Sequence, residues 1–186
     1  MCETDEKVYD RFLAEHDEKD LKILLERHRD SLMFFLYGYV HNMEDAEELM
    51  MDSFAELAAG RTFFSGRSSF RTWLFAVAKN KARMHLRKRK PITVPIDQLR
   101  GTGDMTDNPE ALFLKDERSR QLRRAMMEMD PKAQHVLHLL YFEDMSYDEL
   151  AQVLGKSRRQ TYRLADRYRA QLKKILEREG YHEDNG

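Results

Sequence analysis

Cysteine is nearly absent: Cys2 is the single one in 186 residues, which excludes an internal disulfide framework and a cysteine-ligated zinc site. Proline and glycine are also sparse, at 4 and 8 residues, so regular helix is interrupted at few places. No apolar run reaches the roughly 18 residues of a membrane-spanning helix. The acidic opening Met1–Glu6 has no apolar core of the kind a secretory signal carries. The expectation is a cytoplasmic protein without membrane insertion.

Chemistry-bearing constellations are missing too. His135 and His138 share a helix face, but nothing converges on them as further metal ligands, so they read as surface or packing residues. Asp45, Glu48 and Asp52 lie on one helix with no partners arriving from elsewhere, which makes a metal-dependent DNA-processing enzyme the outsider. No catalytic group, metal or cofactor is expected, and the protein does not read as an enzyme.

What is present is charge, unevenly spread. The formal net charge is −1, yet residues 1–60 carry −10, residues 61–90 carry +10 without one acidic group, and residues 156–178 carry +7. Residues 91–155 between the two basic blocks carry −5. Two cationic blocks on an otherwise acidic chain are the electrostatic footprint of phosphate binding.

Helical periodicity runs through most of the chain. A short helix is predicted over 5–15. Leu21, Leu24, Leu25, His28, Leu32, Phe35, Leu36 and Tyr39 then recur at three-four spacing, the apolar stripe of a long helix. Asn42 suits an N-cap, with Glu44 and Asp45 favouring the helix dipole behind it. Ala46, Leu49, Met50, Ser53 and Leu57 form the inner face of that helix, which stops at Gly60. Its other side carries Glu44, Asp45, Glu47, Glu48, Asp52 and Glu56, read as exposed. Ser68 or Ser69 caps the next helix, where Phe70, Trp73, Leu74 and Val77 make the buried stripe and Phe75 lies off it. That helix runs into Arg87–Lys90 and stops at Pro91. Pro91, Pro95, Gly101, Gly103 and Pro109 mark residues 91–110 as a flexible linker. Helix resumes near 110, with Asp130 as an N-cap before an N1 proline. The fold class is all-α: two small helical domains, 5–90 and 111–180, joined by the 91–110 linker.

Two capping boxes follow, Ser146 with Glu149 and Ser157 with Gln160. Between them lie a short helix and a tight turn at Gly155, the layout of a helix-turn-helix. Thr161, Ala165, Tyr168, Leu172 and Ile175 face inward on the second helix. Arg159, Arg163 and Arg167 point the other way, where arginine can grip guanine in the major groove. Gln160 and Tyr162 share this N-terminal half. Lys156, Ser157 and Arg158 suit phosphates, which position without specifying. In the first basic block, cations beside Phe63, Phe64, Trp73 and Phe75 suit single-stranded nucleic acid, although Trp73 reads first as core. The acidic helix next to them suggests a separate protein partner.

Residues Met43–Phe54 and Phe64–Asn80 resemble region 2 of the bacterial sigma-70 family, and Leu122–Leu176 resembles its region 4. The two regions joined directly by a linker resemble the extracytoplasmic-function (ECF) group. The resemblance implies a promoter-specificity subunit that binds core RNA polymerase, recognises −10 and −35 promoter elements and stabilises the melted strand. Asp45, Glu48, Leu49, Met51, Asp52 and Phe54 match the segment that docks on the β′ clamp helices. Phe64, Ser65, Gly66 and Asn80 match the loop region that pockets a flipped −10 base. Arg71, Trp73, Phe75, Lys79, Lys81, Arg83 and Arg87 fall in the −10 and melting region. Lys156, Ser157, Arg158, Arg159, Gln160, Tyr162, Arg163 and Arg167 fall in the −35 reader, whose neighbouring helices sit on the β flap. An anti-sigma factor is a further implied partner. In the recognition helix only Ser157, Arg167 and Arg169 match the family's usual residues. The alternative is a helix-turn-helix regulator that never docks on polymerase.

Overall fold

A computed structural model describes residues 3–88, 117–178 and 180, and among them every regular element is an α-helix. The predicted linker and the expected helix start near 110 lie outside the described residues. The chain divides into two compact units, Met1–Asp104 and Met105–Gly186, which are taken separately.

The first unit holds α1 (Asp5–Glu15), α2 (Glu18–Val40), α3 (Met43–Ala58) and α4 (Phe70–Lys88). Local chemistry sets their ends. Asp17 caps α2 by accepting from the Lys19 N–H, and Asn42 caps α3 by accepting from the Asp45 N–H at 2.9 Å. Both α1 and α2 close on a histidine, His16 (φ 54°) and His41 (φ 51°), in the left-handed region that glycine usually fills. The His41 N–H still donates back to the Tyr37 carbonyl at 2.7 Å, which satisfies one of the terminal carbonyls.

The long α2 is the central element and packs against α1, α3 and α4. Leu24, Leu32, Phe35 and Leu36 of α2 are fully buried with Leu57 of α3 and Phe70, Leu74 and Phe75 of α4. Each such side chain stabilises the unit by roughly 1.5–3 kcal/mol through removal from water. Aromatic contacts lock the centre, with Phe35 and Phe75 edge to face at 5.0 Å between centroids.

Ion pairs tie α1 to α2. Arg11 makes two bonds to the buried Asp20, at 2.8 and 2.5 Å, and also holds Glu3. Asp5 accepts from Arg27 at 2.7 Å and lies 2.8 Å from His28 Nε2. The His28 hydrogen bond, with help from Arg27 and against partial burial, holds the Asp5 carboxyl down to about 2 from an ordinary 3.8. Arg11 likewise holds Asp20 below the carboxylate range. A lowered folded-state pKa stabilises fully above the ordinary value and is lost as pH falls through the folded one. We therefore expect the first unit to lose stability between about pH 4 and pH 2. Asp5→Asn should remove on the order of 1–2 kcal/mol at neutral pH, allowing for partial solvent exposure, and flatten that acid limb. Urea midpoints across pH check this; an unchanged acid limb in the variant would contradict it.

The second unit holds α5 (Glu117–Met127), α6 (Pro131–Tyr141), α7 (Tyr147–Leu154) and α8 (Arg158–Arg178). Asp130 caps α6 by accepting from the Lys132 N–H, with Pro131 at the first helical position. The Ser146–Glu149 box caps α7 in both directions, and Gly155 ends it at φ 66°. Ser157 and Gln160 form the second reciprocal box, at 3.1 and 3.3 Å. The 21-residue α8 packs against α5, α6 and α7 and buries Thr161, Ala165, Tyr168 and Leu172. Leu137 and Leu139 are buried, whereas Leu140 is half-buried and Tyr141 exposed, so the inner face of α6 ends at Leu139. His135 and His138 are buried, His138 stacking on Phe142 at 5.7 Å. They are packing residues and not surface ones.

Candidate nucleic-acid and polymerase interfaces

The basic helix α4 is buried over a wide arc because three helices pack on it. Phe70, Leu74, Phe75, Ala78 and Ala82 are all fully covered. The expectation that Phe75 lies off the buried stripe is therefore corrected: it is a core residue against Phe35 and cannot touch a ligand in this conformation. Val77, expected in the stripe, is only half-buried. Lys79 is 9% exposed and turned inward.

Lys81 faces the acidic helix and not solvent. Its ammonium lies 2.8 Å from Glu56 and 3.8 Å from Asp52 of α3, and His85 lies 3.8 Å from Asp45. Three of the acids read as exposed thus turn toward α4 and offset its charge. Lys81→Ala would leave Glu56 without its close cation in a partly covered groove. We expect a loss of about 1–3 kcal/mol, and a double-mutant cycle with Glu56→Ala should return a coupling above about 0.5 kcal/mol. Additive losses would show that the two side chains do not interact.

The cations of α4 left facing outward are Arg83, Arg87 and Lys88, with Asn80 exposed beside them and Arg71 half-exposed. Arg83 lies close enough to Tyr39 of α2 to oppose the burial that pushes the Tyr39 hydroxyl up to about 12. Ahead of α4, the loop between Ala59 and Ser69 exposes Ser65, Gly66 and Arg67, with Gly66 at φ 70°. Phe64 turns under this loop to meet Trp73 at 5.4 Å and Phe70 at 5.8 Å, whereas Phe63 stands 76% exposed. An open loop with one free ring, followed by outward arginines, can stack an unpaired base while neutralising its backbone.

On α3 the proposed docking residues fall into two groups. Leu49 and Phe54 are buried and serve the core, and Asp45 is half-covered. Glu48, Asp52 and Met51 reach solvent, and Met51 is 49% exposed. An exposed thioether beside carboxylates is an adaptable apolar contact inside a charged rim.

In the second unit, Lys156, Ser157, Arg158, Arg159, Gln160, Tyr162, Arg163 and Arg167 are all exposed, opposite the inner face of α8. Several are already engaged within the unit. Gln160 Oε1 accepts the Ser157 N–H in the capping box, so only its amide NH2 is free to read a base. Arg158 lies 3.3 Å from Asp148 of α7. A tyrosine cluster, without a signature in the sequence, braces the flank between α7 and α8. Tyr147 packs on Tyr162 at 5.2 Å, and Arg169 donates to the Tyr147 hydroxyl at 2.5 Å. Arg169 also lies over the Tyr141 ring, so it acts as a brace between helices.

Family models match both units: sigma-70 region 2 over residues 24–92 and sigma-70 region 4 over residues 119–172. The RNA polymerase sigma factor YlaC of Bacillus subtilis is 30% identical over 155 residues, 82% of this chain and 90% of the relative. The chain belongs to the sigma-70 family. The ECF RNA polymerase sigma-E factor of Escherichia coli K12 is 24% identical over 162 residues, 80% of this chain and 84% of its own. This places the chain with the ECF sigma factors, which direct transcription initiation. Two solved structures share the fold. One is CnrH in complex with the cytosolic domain of CnrY, at TM-score 0.63 and 20% identity, covering 94% of this chain and 98% of that one. The other is the sigma factor RpoE in complex with the anti-sigma factor NepR from Bartonella quintana, at TM-score 0.60 and 19% identity, covering 86% and 98%. Within this sigma factor, α1 precedes the span matched to region 2. Among the described residues no helix is long and apolar enough to cross a membrane, and no group of metal-binding side chains assembles.

Proposed function

We propose a division of labour within this sigma factor. Residues 5–90 dock on core RNA polymerase through the solvent edge of α3 and hold the opening −10 element on α4 and the loop before it. Residues 111–180 read the −35 duplex with α8, and residues 91–110 join the two. The observation that carries the reading is the separation of exposed groups: an acidic ridge around Met51 on α3, and cations with a free aromatic ring on α4 and its loop. Glu48, Met51 and Asp52 meet the β′ clamp helices. Ser65, Gly66 and Asn80 surround the captured base, and Arg71, Arg83 and Arg87 neutralise the strand. The helices beside α8 rest on the β flap.

The mechanism is binding without bond chemistry. Extruding a base costs a few kcal/mol, which stacking at about 1–3 kcal/mol per base and phosphate neutralisation offset. The protein works in the cytoplasm, where polymerase and promoter are. The resemblance to CnrH and RpoE, each solved with a partner chain, RpoE with the anti-sigma factor NepR, supports regulation by an anti-sigma factor.

Met51 gives the direct test, because its side chain is free of the core. Met51→Asp should weaken binding to core polymerase by about tenfold, the effect of placing a charge in an apolar contact worth ~1.4 kcal/mol. The thermal midpoint should hold, since surface changes usually stay within ~0.5 kcal/mol. Undiminished binding to core, measured by fluorescence anisotropy, would remove α3 from the interface.

A further inference from the structure

The first N–H groups of α4 have no intrahelical partner, and only part of that need is met locally. Ser69 Oγ accepts from the Thr72 N–H at 3.2 Å. The Phe70 N–H instead donates to Glu6 Oε1 of α1 at 2.9 Å, across 64 residues of sequence. Glu6 therefore caps the helix in trans, and a carboxylate there also suits the positive end of the dipole. Three residues on, Tyr9 enters the same place from α1. Its ring lies 5.1 Å from Phe70, 5.7 Å from Trp73 and 6.1 Å from Phe64. His28, held by Asp5 of α1, closes the far side against Phe70 at 5.9 Å. The result is a box of four aromatic rings whose lid is α1 and whose opposite wall is the loop ahead of α4.

We propose that Glu6 and Tyr9 are positioning residues for promoter opening, and that α1 thereby belongs to the −10 apparatus. They touch no DNA. Glu6 fixes where α4 begins, and Tyr9 fixes Phe64 and Trp73 from behind, so the loop carrying Phe63, Ser65 and Gly66 is presented in one conformation. A misplaced loop loses effective concentration against the extruded base even when every contact residue is intact. This inference rests on the proposed −10 role of the loop. Its reach is that a helix outside the span matched to region 2 sets the rate of opening.

The test uses the full chain reconstituted with core polymerase. Trp73 is the only tryptophan, so its emission and acrylamide quenching report the box directly. Glu6→Ala should raise quenching of Trp73 and slow promoter opening by about fivefold, the scale of losing one helix cap. Affinity for core should stay within about twofold, because α3 is untouched. Glu6→Gln, which keeps the acceptor oxygen, should recover most of the rate. Should Glu6→Ala fail to fold, Glu6→Asp carries the test, since one methylene less pulls the oxygen away from Phe70; slower opening with normal core affinity is again expected. Opening at the wild-type rate with unchanged Trp73 quenching in a folded variant would overturn the proposal. Equal slowing by Glu6→Ala and Glu6→Gln would overturn the capping role in particular. If the wild-type chain binds core yet opens no promoter, the loop reading has failed instead, and the two failures are thereby distinguished.

Discussion

Phe75→Ala is expected to cost the first unit roughly 3–5 kcal/mol, the range for emptying a buried phenylalanine site. A domain of this kind has only about 5–10 kcal/mol in total, so the variant should stand close to unfolding at 37 °C. The ring is fully covered and meets Phe35 edge to face, at the point where α2 and α4 cross the core. The void left behind would open between α2, on which α3 packs, and α4, which carries the arginines proposed to hold the strand. Core binding and promoter opening should therefore fall together, in proportion to the unfolded fraction. Phe75→Leu, closer in volume, should cost about 1.5 kcal/mol or less and keep both activities. Urea denaturation of the two variants measures this. A stable Phe75→Ala protein with a selective defect in DNA binding would restore Phe75 as a contact residue and contradict its place in the core.

The second large effect belongs to α8. Arg159 and Arg163 are exposed on its N-terminal half, and neither is drawn into a contact with α7 as Arg158 is. Each bidentate grip on a guanine discriminates by about 1–3 kcal/mol, so replacing both by alanine should cut preference for the −35 element by about 30-fold or more. Lys156→Ala should behave otherwise. It should weaken binding alike on all sequences and shallow the salt dependence by about one unit of slope, as one phosphate contact is lost. Competition binding with −35 duplexes and scrambled duplexes at several salt concentrations separates the two patterns. If the double variant loses equally on both DNAs, the arginines position the helix and do not read it.

Legibility in the sequence followed the range of the interaction. Asn42, Asp130, Ser146 and Ser157 were readable as caps because each partner lies within three residues along the chain. The inner face of α8 was readable because all its packing comes from one side. Phe75 was misread because α1, α2 and α3 all pack on α4. The buried arc from Phe70 through Ala82 to Thr72 spans about 200° at 100° per residue, wider than any single stripe. Two acids of α3 expected to be exposed, Asp45 and Glu56, are half-buried for the same reason: how far Glu56 meets water depends on Lys81, 25 residues later in the chain. His16 and His41 gave no stop signal, since left-handed caps are expected of glycine. Glu6 could not be found at all from spacing, because nothing local distinguishes it from its acidic neighbours. The family resemblance suggested the surfaces, and the structure divides the residues it named into exposed and buried ones.

Whether this chain gives core polymerase its choice of promoter can be read directly from the start sites of its transcripts. Core polymerase and genomic DNA from the source organism are incubated with and without the purified chain, and the 5′ ends of the transcripts are sequenced. A new set of start sites is expected that appears only with the chain, shares two upstream elements at fixed spacing, and disappears with the Arg159/Arg163 double variant. A transcript population unchanged by the chain, with no retention of core polymerase on it, would contradict the account.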